Sequence, residues 1–81
     1  MSTPEIRNIL AECCSDMEFK RNGKDSGVLI SVENSVPTFE AFCGSAVKFF
    51  HSVDELINDP FFDGKSISEL NDAGDTEFRF C

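Results

Sequence analysis

Residues 27–34 read GVLISVEN, and residues 35–50 read SVPTFEAFCGSAVKFF. Most of this run alternates. Val28, Ile30 and Val32 fall on one side of an extended chain, and Leu29, Ser31 and Glu33 on the other. Phe39, Ala41 and Cys43 then oppose Thr38, Glu40 and Phe42, while Val47 and Phe49 oppose Ala46, Lys48 and Phe50. Successive side chains leave a strand on opposite faces, so a period of two marks strands. Asn34-Ser35 and Gly44-Ser45 punctuate the run. The stretch therefore predicts an antiparallel meander, with strands ending near Val32, then at about 38–43 and about 46–50. Pro37 belongs at a strand start or an edge, where its missing N–H does little harm.

Upstream, Met17 to Arg21 reads as a short strand. Asn22 to Gly27 is dense in turn formers and links it to the meander as a hairpin. This places Lys20, Arg21 and Lys24 near a hairpin tip in solvent. At the N-terminus, Ser2 and Thr3 offer a cap, Pro4 suits a first turn, and Glu5 stands three residues after Ser2. Ile6, Ile9, Leu10, Cys13 and Met17 recur at helical spacing, with Cys14 at the margin of the stripe. This predicts a helix at about 3–16.

Downstream, Ser52 and Glu55 form a capping box, so Val53 to about Asn58 should be helical until Pro60 stops it. At least one of Phe61 and Phe62 should plug the core, and Asp63-Gly64 turns the chain. Ser66 and Glu69 form a second capping box, opening a helix of about five residues with Ile67 and Leu70 buried. Residues 71–75 read as a loop. Thr76 to Cys81 reads as a last strand, with Phe78 and Phe80 on one face. The order α-β-β-β-β-α-α-β predicts a single α+β domain over residues 1–81, with helices packed on one face of an antiparallel sheet.

The chain has nine Phe but no Trp or Tyr, which predicts a core built on Phe. Its net charge is −8, from fifteen acids and seven bases, and the imbalance lies mostly after residue 50. A nucleic-acid surface needs clustered Lys and Arg, and an anionic membrane repels such a chain, so neither is expected as a direct partner. Cys13, Cys14, Cys43 and Cys81 show no disulfide-framework spacing. With no signal peptide and no apolar run of membrane length, a reducing cytoplasm with mostly buried free thiols is expected.

Chemistry-bearing residues are few. Asp63-Gly64-Lys65-Ser66 matches the tail of a phosphate-binding loop, but Asp59 stands where the loop needs its first Gly. A turn at Gly64 and a cap at Ser66 explain these residues. His51 with Cys43 or Cys14 lacks ligand spacing, and the region is too acidic for an activated thiol. Neither an enzyme, a metal site nor a cofactor is expected.

Two surfaces remain. The acids Asp54, Glu55, Asp59, Asp63, Glu69, Asp72, Asp75 and Glu77 lack the alternating spacing of a calcium loop. They read either as a solvated face or as a negative patch for a basic protein partner. The second surface is the sheet face away from the helices. Leu29, Phe42 and Phe50, with Glu33, Glu40 and Lys48, are expected there as an apolar patch for a homodimer.

The stretches Glu18-Phe19-Lys20-Arg21-Asn22-Gly23-Lys24 and Phe61-Phe62-Asp63-Gly64-Lys65-Ser66, with the chain's size, resemble small uncharacterised proteins carried by prophages and mobile elements of Gram-positive bacteria. The resemblance implies a bacterial, cytoplasmic accessory protein and transfers no functional residue. By analogy, such proteins include acidic inhibitors that occupy nucleic-acid-binding surfaces as DNA mimics. The reading is therefore a small acidic, non-enzymatic interaction module, with a self-associating module as the alternative.

Overall fold

The computed structural model describes residues 2–12 and 15–80. Its elements are α1 (Thr3–Ala11), β1 (Met17–Arg21), β2 (Lys24–Glu33), β3 (Val36–Cys43), β4 (Ala46–Phe50), α2 (Val53–Asn58), α3 (Ile67–Ala73) and β5 (Arg79–Phe80). The five strands form one antiparallel sheet in the order β4-β3-β2-β1-β5. This is the α+β order that the pattern predicts. The three helices share one layer, and their apolar sides meet one face of the sheet. Ile6 and Leu10 of α1, Leu56 and Ile57 of α2, and Ile67 and Leu70 of α3 are buried there against Met17, Phe19, Val28, Phe39, Ala41 and Phe50. Phe62 is fully buried between Phe19 and Phe61, each in an edge-to-face contact at 5.0 Å.

Several boundaries differ from the sequence reading, among them the start of β3, which is Val36 and not about residue 38. Helix α1 ends at Ala11, well short of residue 16, because the chain must turn to start β1. Met17, counted in the helical stripe, is a fully buried strand residue. Just before it, an Asp16 carboxylate oxygen accepts the Ile30 N–H at 2.9 Å. Cys13 and Cys14 lie outside the described residues.

Strand β2 begins at Lys24, because the turn before it is only Asn22-Gly23, both with positive φ (52° and 78°). Two such residues suit a tight hairpin whose twist matches its strands, so residues 24–27 pair with β1 instead of looping. Helix α3 continues to Ala73, where Gly74 in the left-handed region (φ 77°) caps it. Only Arg79–Phe80 of the expected last strand pair with β1. Phe78 still packs on Phe19, at 5.1 Å between ring centroids, and Cys81 lies outside the described residues.

The remaining turns follow the sequence. Asn34 and Ser35 both take positive φ between β2 and β3. Pro37 lies near the start of β3, beyond residues 39–43 that pair with β4, so no β4 ladder requires its N–H. Ser2, Ser52 and Ser66 each cap a helix by accepting the N–H of the Glu three residues on, and Glu5 and Glu69 complete capping boxes.

Candidate functional site

The register decides which residues reach each face of the sheet. Gly44-Ser45 is a two-residue connection, so Cys43 pairs with Ala46, Phe42 with Val47, Glu40 with Phe49, and Phe39 with Phe50. Directly paired residues share a face. Phe39 is core, so Phe50 is core as well and is buried. Phe50 was expected on the helix-free face; the register places it beneath the helices. Lys48 is on the helix side too, with its ammonium 5.2 Å from the Phe50 ring centroid and 2.8 Å from Asp59 at the end of α2.

The helix-free face carries Phe49 and Val47 in their place. Row by row, Leu29, Glu40 and Phe49 stand side by side on β2, β3 and β4, and the next row holds Gly27, Phe42 and Val47. Phe49 is 60 % exposed, Val47 50 % and Leu29 42 %, while Phe42 is half-buried. Phe42 owes that cover to Gly27. Its ring lies across the glycine, with Cζ 3.1 Å from where a β-carbon would stand. Val36, also exposed, lies on the same face beside Glu33 at the far end of β3.

On the β1–β5 side of this face is a groove of about 280 Å³, with Phe42 on its wall. Glu18 and Asp25 line it with Lys20 and Arg79, so its charges balance. Lys20 and Asp25 form an ion pair across the hairpin, and the hydrogen bond from Lys20 holds the Asp25 carboxyl below the usual carboxylate range.

The expected acidic surface is partly neutralised. Asp54 pairs with Arg7 of α1 at 2.6 Å, and Asp59 pairs with Lys48. Asp63 accepts from Lys24 at 3.0 Å and from Asn22 at 3.1 Å. Glu69 serves its capping box and lies 3.9 Å from Lys65. Hydrogen bonds from Arg7 and from Lys24 lower the pKa values of Asp54 and Asp63 respectively. Among the described residues, Glu55, Asp72, Asp75 and Glu77 are exposed acids of this set with no ion pair.

The hairpin tip is more than solvated charge. Arg21 donates to the Phe62 carbonyl at 3.1 Å. With the Asn22 and Lys24 contacts to Asp63, it clamps the turn that carries the buried Phe62 ring. Gly64 and Lys65 belong to that turn, and Ser66 caps a seven-residue helix, as the reading of the partial loop motif requires.

Cys43 and His51 do not come together. Cys43 is buried beside Ala46 at one end of the β3–β4 ladder, and exposed His51 follows Phe50 at the other. Five residues of strand separate them by roughly 16 Å, far beyond the hydrogen-bond reach that a nucleophile and its base need. Among the described residues, no group of three or more His, Cys, Asp or Glu could hold a metal ion, and no helix is long and apolar enough to cross a membrane.

No family model, curated protein or solved structure matches the chain.

Proposed function

We propose that this protein is a non-enzymatic interaction module whose contact surface is the helix-free face of its sheet. One observation carries the reading: Leu29, Phe42, Val47 and Phe49 lie side by side across three strands on the side that no helix of the described residues covers. Scattered apolar residues on a surface need no explanation, but a contiguous patch marks a contact site. In typical interfaces a few residues near the centre of the buried patch carry most of the binding free energy.

The test compares tagged wild type with Val47→Thr/Phe49→Thr, which keeps β-branched residues at 47 and adds one at 49. Proteins captured by the wild type are purified and titrated back against both. Binding lost in the double variant, with its circular dichroism unchanged, supports the reading. Equal affinity for the two refutes it.

A second reading, docking of a basic nucleic-acid-binding protein on the acidic surface, draws on the unpaired acids Glu55, Asp72, Asp75 and Glu77. Carboxylates placed where phosphates would stand engage Arg and Lys. Reversing these four to Lys should abolish salt-sensitive binding. Asp59 and Asp63 are poor choices for that test, since reversing them also breaks intramolecular ion pairs.

A further inference from the structure

Glu40 stands between Leu29 and Phe49 on the middle row of the apolar patch, with Phe42 two residues along on the same face. It is half-buried and, among the described residues, has no ion pair. An occupant that covers Leu29 and Phe49 therefore also covers a carboxylate. A carboxylate removed from water must be paired or protonated, because an isolated buried charge is far too costly.

Resting on the interaction-module reading, we infer that the partner is a different protein that sets an Arg or Lys, flanked by apolar side chains, against Glu40. A second copy of this chain fits poorly. Lys48 points to the other face, Lys20 is held by Asp25, and among the described residues only Arg79 on β5 remains as a Lys or Arg of this face. β5 lies three strands from β3, roughly 14 Å at ordinary strand spacing. Two copies aligned to bring Arg79 onto Glu40 centre on β1 and β2 and leave Val47 and Phe49 in water. Two copies centred on the apolar patch place β3 on β3 and offer Glu40 no cation, while both chains carry a net charge of −8.

The experiment selects a random displayed peptide library on the full-length protein. The enriched peptides are then titrated by fluorescence anisotropy against wild type, Phe49→Ser and Glu40→Gln. The expected peptides carry Arg or Lys among apolar residues. They should lose binding to Phe49→Ser and bind Glu40→Gln at least about tenfold more weakly. An Arg→Glu peptide should recover affinity on Glu40→Lys. Loss on Phe49→Ser with no change on Glu40→Gln overturns the inference but leaves the interaction face standing. Full binding to Phe49→Ser overturns both. Enrichment of purely apolar peptides, or of none, overturns the inference. So does a wild-type dimer in sedimentation equilibrium that Phe49→Ser dissolves, which assigns the face to a second copy.

Discussion

Phe49 and Phe50 are neighbours in the chain with opposite surroundings, and truncating each to Ala should separate them. Phe50 is 5 % exposed and Phe49 is 60 % exposed. Removing a buried Phe side chain costs about 3–5 kcal/mol, because the transfer free energy is lost and a cavity is left. For Phe49, about two-fifths of the side chain is covered. Full burial of such a group is worth ~1.5–3 kcal/mol, so the loss should be about 1 kcal/mol. In a domain this size each kcal/mol moves Tm by roughly 4–8 °C. Phe49→Ala should therefore melt about 4–8 °C below wild type, and Phe50→Ala about 12–40 °C below. A domain of this length has a total stability of about 4–12 kcal/mol, so Phe50→Ala is largely unfolded at room temperature only where wild type sits at the low end. Thermal and urea unfolding followed by circular dichroism measure both. Equal losses, or a greater loss at Phe49, refute the assignment of faces and, with it, the proposed contact surface.

Three other outcomes follow from the geometry. Gly27→Ala places a methyl group against the Met17 carbonyl oxygen of β1 and the Phe42 ring. It should cost about 1–3 kcal/mol or more in urea unfolding, the usual range for overpacking. Ser35→Gly should raise stability by up to about 1 kcal/mol in the same assay, because Ser35 (φ 63°) holds a left-handed conformation that costs an L residue about 1–2 kcal/mol, partly offset by the extra freedom that glycine loses on folding. Asp25, Asp54 and Asp63 have folded pKa values held below the carboxylate range, chiefly by hydrogen bonds from Lys20, Arg7 and Lys24. Their stabilisation is thus complete above the unfolded carboxylate pKa of about 4 and is lost as pH falls through the lower folded values. Urea midpoints measured from pH 6 to pH 2.5 should decline below about pH 4, and Arg7→Met should shrink that decline.

Much of the fold was legible locally. Period-two alternation marks β2, β3 and β4, and the three Ser caps mark the helix starts, because both signals depend on side chains a few residues apart. The facing of Phe50 was also within reach. A two-residue turn at Gly44-Ser45 pairs residue 43 with 46, and counting outward puts Phe50 opposite Phe39. Alternation within one strand says only that two faces differ; it takes the register to say which face is shared with a neighbour. The short turn at Asn22-Gly23 was similarly obscured by the polar residues after it, which belong to a paired strand.

Element order and alternation are written in the chain locally, because backbone preference and capping act over a few residues. The partnering of charges far apart in the chain is set by the packed fold alone. Arg7 meets Asp54, Lys24 meets Asp63, and Lys48 meets Asp59. Each pair joins a helix or turn to a separately placed element, so it exists only after the helix layer has settled on the sheet. That same settling covers one face with three helices and leaves the other, with Glu40 among Leu29, Phe42 and Phe49, facing outward.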